Sequence, residues 1–404
     1  MNKSVRPVLR GGRRSNPPSY LDCSQFKKHI ELKRLILLIG IFLIFGLESS
    51  FSKNEEIEIS LLTCSSGSAS FEAWGHSAIR VIYNDKKGTD IVYDFGRFDF
   101  SMPNFYWNFI KGKLRYGIGA TTSGNFFKSY QLENREVIEQ KLNFTDETKI
   151  KLVKELKHLY RPENRFYFYD FFDKNCTTQL RDLIIGDVDS EIKTQTEVRT
   201  YRHQINEYLN NRQWTRLGIN LLLGSSADNK VDAYESLFLP YYLYAGLKDL
   251  RIKGNKYVIS ERKYNTISPN QSNILAIFNP TLIFTVLLCL ILISKSRKIQ
   301  LPALVVIGLT GLIVLGISII TEHQDIKNNF NLLWCNPLYL LSIILLFRNK
   351  FKLQYYLSVT LQLMILVMII IWMAKIQSWE VAFFPLVILL SVNNIRIIKA
   401  SYNK

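Results

Sequence analysis

An α+β domain held outside the cytoplasm and fused to an all-α membrane bundle is the architecture this sequence predicts. Three observations carry that reading. An apolar run, Leu35–Leu47, follows Lys33 and Arg34, as in a signal peptide or signal anchor. Residues 53–270 have ordinary globular composition, with strand-like and helix-like apolar patterns in turn. From residue 273 onward the 404-residue chain is mostly apolar, in runs near the ~20 residues that a bilayer demands.

The ends of the chain set the topology. Residues 1–31 read as a basic cytoplasmic tail, with Asn16, Pro17, Pro18 and the Gly11–Gly12 pair opposing regular structure. Residues 1–34 hold nine Lys/Arg against two acids, so +7 of the formal +17 charge lies before the first apolar run. Residues 32–52 are the export segment, with small residues near Ser50 and Ser52 for cleavage. Five spans are expected after the exported domain, within 273–398: 273–294, 301–320, 332–347, 355–374 and 380–397. The third is short and interrupted by Asn336–Pro337, which suggests a re-entrant segment. With the exported domain outside, the inner segments carry Lys295, Arg297, Lys298, Arg348, Lys350, Lys352, Arg396, Lys399 and Lys404. The outer loops carry only Lys327 and Lys375. This asymmetry obeys the positive-inside rule. It makes the chain a multi-pass membrane protein with its α+β domain outside and its C-terminus in the cytoplasm. Membrane flanks account for the basic excess, and no nucleic-acid partner is expected.

Within 53–270, Ile57–Leu62 alternates like a strand and runs into a loop at Thr63–Gly67. A short helix is expected at Phe71–Gly75. His76–Tyr83 reads as a strand with Ile79, Val81 and Tyr83 on one side and His76, Ala78 and Arg80 on the other. The polar turn 84–88 leads to a partner strand, Asp90–Phe95. Asp146–Tyr160 is an amphipathic helix with Thr145 as N-cap and Asp146 and Glu147 in its first turn. Gly224–Asp228 reads as a loop and Phe238–Ala245 as an apolar helix.

The chemistry centres on Phe166–Ile184, where an aromatic run ends in Asp173, Lys174 and Asn175. Cys176 then opens a helix marked by Leu180, Leu183 and Ile184, with Asn175 as its N-cap. A thiol at a helix N-terminus is favoured as thiolate. The competing reading is a small buried core cysteine. The five cysteines, Cys23, Cys64, Cys176, Cys289 and Cys335, show no metal spacing and no CxxC pair, and neither a metal nor a cofactor is expected. Cys64 and Cys176 either pair as a disulfide, giving a non-catalytic binding module, or leave one thiol free for chemistry. Of His76, His158 and His203, only His76 opens a strand after a glycine, where its ring can be held rigidly as a base for the thiol. A serine hydrolase built on Ser65 or Ser66 is disfavoured, because Gly-x-Ser-x-Gly is absent. In the outer loop 321–337, His323, Asp325, Asn329 and Asn331 gather at the membrane surface. They form either an interfacial loop anchored by Trp334 or a polar roof over a lipid entrance.

Histidine on a strand followed by Asn-Cys at a later helix start resembles the permuted papain-like arrangement of NlpC-type hydrolases. The wider set of motifs is more specific: Leu62–Gly67 (LTCSSG), Phe71 with Gly75–Arg80 (GHSAIR), Val92–Gly96 (VYDFG), Pro103–Tyr106 (PNFY), Pro162–Arg165 (PENR) and Tyr169–Asp182 (YDFFDKNCTTQLRD). Together with Asn331–Trp334 and Asn336–Pro337, this set resembles the Lnb family of lipoprotein N-acyltransferases. The sequence departs from that pattern at Ser66, where proline is expected, and in its long tail. The resemblance implies a permuted papain-like (NlpC-type) α+β domain that transfers an acyl chain through a Cys176 thioester. The donor would be a phospholipid and the acceptor the α-amine of a diacylated lipoprotein. His76 would be the base, with Asp94 orienting it and Asp90 behind Asp94. Asn175, Arg80, Tyr93, His323, Asp325 and Asn331 are the candidate substrate contacts. A membrane-tethered cysteine hydrolase, cutting a cell-wall peptide or a lipid ester, uses the same dyad and is the alternative.

Overall fold

The computed structural model describes residues 57–84, 87–99, 101–186, 199–252, 254–265, 279–294 and 297–402. The basic tail and the export segment expected at 1–31 and 32–52 lie outside them. Seven strands form one antiparallel sheet: β1 (Ile57–Cys64), β2 (His76–Tyr83), β3 (Asp90–Arg97), β4 (Arg115–Thr122), β5 (Val137–Leu142), β6 (Phe166–Phe168) and β7 (Val258–Tyr264). Their order across the sheet is β6-β4-β3-β2-β1-β5-β7, which centres the strand that begins with His76. The β2–β3 hairpin anticipated from the 84–88 turn is present, with Ala78 opposite Asp94. The α-helices beside the sheet are α1 (Phe105–Lys111), α2 (Ser123–Leu132), α3 (Asp146–Leu159), α4 (Cys176–Ile185), α5 (Tyr201–Tyr208), α6 (Gln213–Leu222) and α7 (Pro240–Asp249).

Strand alternation decides which helix covers which face. Ile59, Leu61, Ile79, Val81 and Tyr93 point to the side packed by Leu152 and Leu156 of α3, Leu180 and Ile184 of α4, and Leu243 and Leu247 of α7. Leu62, Ala78 and Val92 point to the other side, under Phe126 and Tyr130 of α2. The split of β2 into an Ile79/Val81/Tyr83 side and an Ala78/Arg80 side therefore holds. Thr145 caps α3, accepting from the Thr148 N–H, as its sequence predicts.

After the sheet domain come α8 (Pro280–Ser294), α9 (Arg297–Ile320), α10 (Leu338–Phe347), α11 (Phe351–Met373) and α12 (Phe384–Tyr402). Among the described residues, four stretches are long and apolar enough to cross a membrane: Gln300–Ile320, Phe330–Phe347, Phe351–Met373 and Val381–Ser401. Pro280–Ile293 is apolar but shorter among the described residues; the first expected span, 273–294, begins outside them. The Asn336–Pro337 pair interrupts the third stretch as expected, separating a 3-10 turn at Phe330–Leu333 from α10, which it initiates. Pro337 sits at the N-cap of α10, where a missing N–H costs nothing, and the Asn336 side chain accepts from the Leu338 N–H at 2.9 Å.

The sheet domain and the helices meet on two connections. In the first, the Asn329 side chain donates to the C-terminal carbonyls of α6, Leu221 at 2.8 Å and Leu222 at 2.9 Å. Asn331 does the same for Asn220 at 2.9 Å and Leu221 at 3.1 Å. These carbonyls belong to the last turn of α6, which the helix cannot satisfy itself. In the second, Arg216 of α6 pairs with Glu380 at 2.6 Å. Leu217 and Leu221 of α6 add an apolar face against the bundle core. Lys327 and Lys375 lie in these two connections, on the side of the sheet domain assigned to them by the charge pattern.

Trp334 is not an interfacial anchor. It is buried, packs on Phe383 at 4.9 Å between ring centres, and donates its Nε1–H to Asn331 Oδ1 at 3.0 Å.

Candidate active site

The nucleophile candidate sits where backbone chemistry favours a charge. Asn175 caps α4, its Oδ1 accepting the N–H groups of Thr177 at 2.7 Å and Thr178 at 3.0 Å. Thr178 Oγ1 accepts the Asn175 N–H at 2.8 Å, closing a capping box. Asn175 Nδ2 donates to the carbonyls of Phe171 at 2.8 Å and Phe238 at 3.0 Å. Every polar atom of that side chain is thus committed to holding the loop. Asn175 positions Cys176 and has no group left for a substrate.

Strand β2 delivers the second member. Gly75 adopts φ +76°, a left-handed turn that brings His76 to the strand entrance beside Cys64. The His76 ring lies over Gly96 on β3: a methyl group there would stand 2.8 Å from Cε1. The His76 imidazole and the Cys176 thiol, 100 residues apart in sequence, line the same cleft, close enough for each to shift the other's protonation. Next to them Ser77 Oγ and Thr177 Oγ1 meet at 3.1 Å, buried, and join β2 to α4.

Electrostatics favour the ion pair. Burial opposes charge on Cys176, but the imidazole charge, its hydrogen bond and the Ser77 N–H outweigh burial and hold the thiol below its usual value of 9.0. Burial likewise pulls His76 down. The charge and hydrogen bond of the sulfur, with a smaller contribution from Asp94, exceed it and leave His76 above 6.5. Cys64, one strand away, shows what burial does without a base: its pKa is pushed up to about 12 by burial, despite a Tyr130 hydrogen bond. Both thiols are free, so the Cys64–Cys176 disulfide is absent; Cys64 is enclosed with Tyr130 and Cys176 is turned to His76.

These shifts give a direct expectation. Cys176 should alkylate with iodoacetamide at pH values where an ordinary thiol is protonated, while buried Cys64 serves as an unreactive internal reference. In His76→Ala the rate profile of Cys176 should move to higher pH, because the opposing burial then dominates. Peptide mass spectrometry across a pH series reads both; a profile unmoved by the substitution would contradict the pair.

The dyad opens into a cleft of about 390 Å³. Its walls include Trp74, Phe98, Tyr116, Tyr169, Phe171 and Phe238. Tyr116 and Tyr169 stack at 4.4 Å, and Trp74 packs on Phe171 at 5.1 Å. These aromatic walls alternate with charged side chains, Glu72, Asp94, Arg97, Glu133 and Arg135, so the dyad sits in a cleft that is part apolar and part polar.

Other candidates are placed differently. Asp94 is buried in the cleft, yet both carboxylate oxygens are held by Arg97, at 2.9 Å and 2.6 Å. Among the described residues it makes no hydrogen bond to His76 and acts through its charge. Asp90 is bound by Arg80 at 2.6 Å and by Ser123. Arg80 also pairs with Glu139 at 3.0 Å, and neither Arg80 nor Tyr93 lines the cleft. Asn331 is fully buried, its amide spent on α6 carbonyls and Trp334. His323 and Asp325 lie in a buried cluster with Asp170 rather than in the cleft. Sequence reasoning gave Arg97 no role and used Gly96 only as the end of the Val92–Gly96 motif; a glycine at a strand end is a usual mark of close approach by another group.

A membrane protein is defined by this fold and site, with an extramembranous α+β domain that carries a Cys–His pair. Two family models match it: the Lnb N-terminal periplasmic domain over residues 49–211 and the Lnb transmembrane domain over residues 262–404. The chain belongs to this Lnb-type family, and its sheet domain is periplasmic. No curated protein and no solved structure matches it.

Proposed function

We propose that the chain is a lipoprotein N-acyltransferase with a permuted papain-like catalytic domain at the outer face of the inner membrane. The observation that carries this reading is the Cys176–His76 pair, lowered thiol against raised imidazole, at the end of an aromatic cleft on a domain bolted to membrane helices. The Cys176 thiolate attacks the ester carbonyl of a phospholipid. The His76 imidazolium gives its proton to the departing glycerol oxygen, leaving an acyl-thioester and a lysophospholipid. The free α-amine of a diacylglyceryl-cysteine then attacks the thioester and passes a proton to His76. The amide forms and the thiolate leaves.

The oxyanion of each step needs a donor. Asn175 takes the Thr177 and Thr178 N–H groups, and the Cys176 N–H is the first-turn donor that this cap leaves over. Both substrates are confined to one leaflet, which accounts for a catalytic domain locked to spans. The charge pattern of the connections supports a cytoplasmic C-terminus.

Mass spectrometry of lipoprotein N-termini tests the proposal. Cells lacking the protein should accumulate diacylated forms with a free α-amine, and the intact gene should restore the third chain. Unchanged N-termini together with altered cell-wall peptides would point to a hydrolase instead.

A further inference from the structure

Outside the dyad, one buried cluster has no role in the acyl-transfer scheme. His323 follows α9 on the membrane side, and Asp170 lies six residues before the nucleophile. His323 Nδ1 stands 3.9 Å from Asp170 Oδ2 and 4.0 Å from Asp325 Oδ1. His323 and Asp325 are only 8% and 7% exposed. Ligand atoms from all three residues fall within 4.8 Å of one another.

Hydrogen bonding fixes what this cluster offers. His323 Nε2 lies 3.1 Å from the Phe109 carbonyl, which can only accept, so Nε2 carries the proton. In the neutral ring, Nδ1 then presents a lone pair to two carboxylates. Both separations exceed the 2.7–3.2 Å of an N–H···O bond. Asp325 Oδ1, the oxygen facing Nδ1, is itself buried with no hydrogen-bond partner among the described residues. A cation seated among the three would satisfy all of these acceptors at once. A histidine whose far N–H is fixed on a backbone carbonyl is also the usual form of a metal-bound imidazole.

We propose that Asp170, His323 and Asp325 hold a divalent cation, with one nitrogen and two carboxylates suited to Zn²⁺. The ion fastens the loop that carries Cys176 to the first membrane-side connection. Asp170 already anchors that loop, its Oδ1 accepting the N–H groups of Phe172 and Asp173, both at 3.0 Å. Its Oδ2 is the oxygen turned to His323. Cysteine spacing carries no sign of such a site, because its ligands would be a histidine and two carboxylates far apart in the chain. The role is structural and is independent of which acyl acceptor the dyad serves.

The test uses the full chain in detergent, carrying Cys176→Ala so that the dyad cannot bind metal. After chelation and dialysis, Zn²⁺, Mn²⁺ and Ca²⁺ are each titrated and bound metal is measured by elemental analysis. One Zn²⁺ per chain is expected, with a higher melting temperature in its presence. Asp325→Asn and His323→Gln, which keep much of the side-chain volume, should each weaken Zn²⁺ binding at least about tenfold. Stoichiometric binding of none of the three ions would overturn the proposal. So would Zn²⁺ binding of equal strength in both variants. Where a variant folds poorly, the melting of the chain with its cluster intact, with and without Zn²⁺, still decides the question.

Discussion

Cys176→Ser should leave lipoprotein N-acylation in cells at background, a loss of at least about 10³-fold when turnover is measured on purified protein. A serine oxygen in the same place keeps the cap, the helix and the neighbouring Thr177, so the fold should persist. What it lacks is an ionisable atom matched to the His76 charge. An alkoxide is out of reach at neutral pH, whereas the thiol is already held below 9.0 by the imidazole. Far-UV circular dichroism and melting of the variant should match the unmodified chain. Full restoration of N-acylation by Cys176→Ser would exclude an obligatory thioester.

Gly96→Ala is the second large expectation, and it touches neither reacting group. A methyl at Gly96 would stand 2.8 Å from His76 Cε1 and 3.5 Å from Nδ1. The first of these is closer than carbon atoms tolerate, so the ring must shift or tilt. A displacement of order 1 Å at a catalytic group costs about 10²-fold in rate. The predicted signature is a lower rate with little change in melting temperature, because the ring moves into a cleft. The pH profile of Cys176 alkylation should also move upward, toward that of His76→Ala. Ordinary activity in Gly96→Ala would show that ring placement over β3 is unimportant.

The nucleophile end of the site was legible because local chemistry wrote it. Asn175 before Cys176, followed by Leu180 and Ile184 at helical spacing, announces both a cap and a buried face. His76 was legible for the same reason, since glycine and then an alternating apolar strand fix a side chain at the sheet entrance. The strand His76–Tyr83 and the helix from Asp146 match the structure to within a residue at each end. Strands β4, β5 and β7 leave little trace in the sequence. Arg115–Thr122 carries Gly117 and Gly119, Val137–Leu142 contains Glu139 and Gln140, and Val258–Tyr264 is mostly polar and sits at the sheet edge. Their β structure comes from neighbours, which single-sequence periodicity does not register.

The roles of acidic and amide residues were hidden for a related reason. Asp94 reads as a partner for His76 by strand register, but Arg97 three residues on competes for both of its oxygens. Asn331 and Asn329 read as headgroup contacts at a membrane surface. Their amides instead close the C-terminus of α6, far back in the chain, a pairing that depends on tertiary geometry alone.

Capture of the acyl-enzyme tests the Cys176 thioester most directly. Purified protein is incubated with phospholipid in the absence of acceptor, then digested and analysed by mass spectrometry. One fatty-acyl chain is expected on the Cys176 peptide, released by neutral hydroxylamine and lost when a diacylated lipopeptide is added. Acceptor N-acylation that proceeds while Cys176 stays unmodified, or with the acyl chain on another residue, would contradict the mechanism.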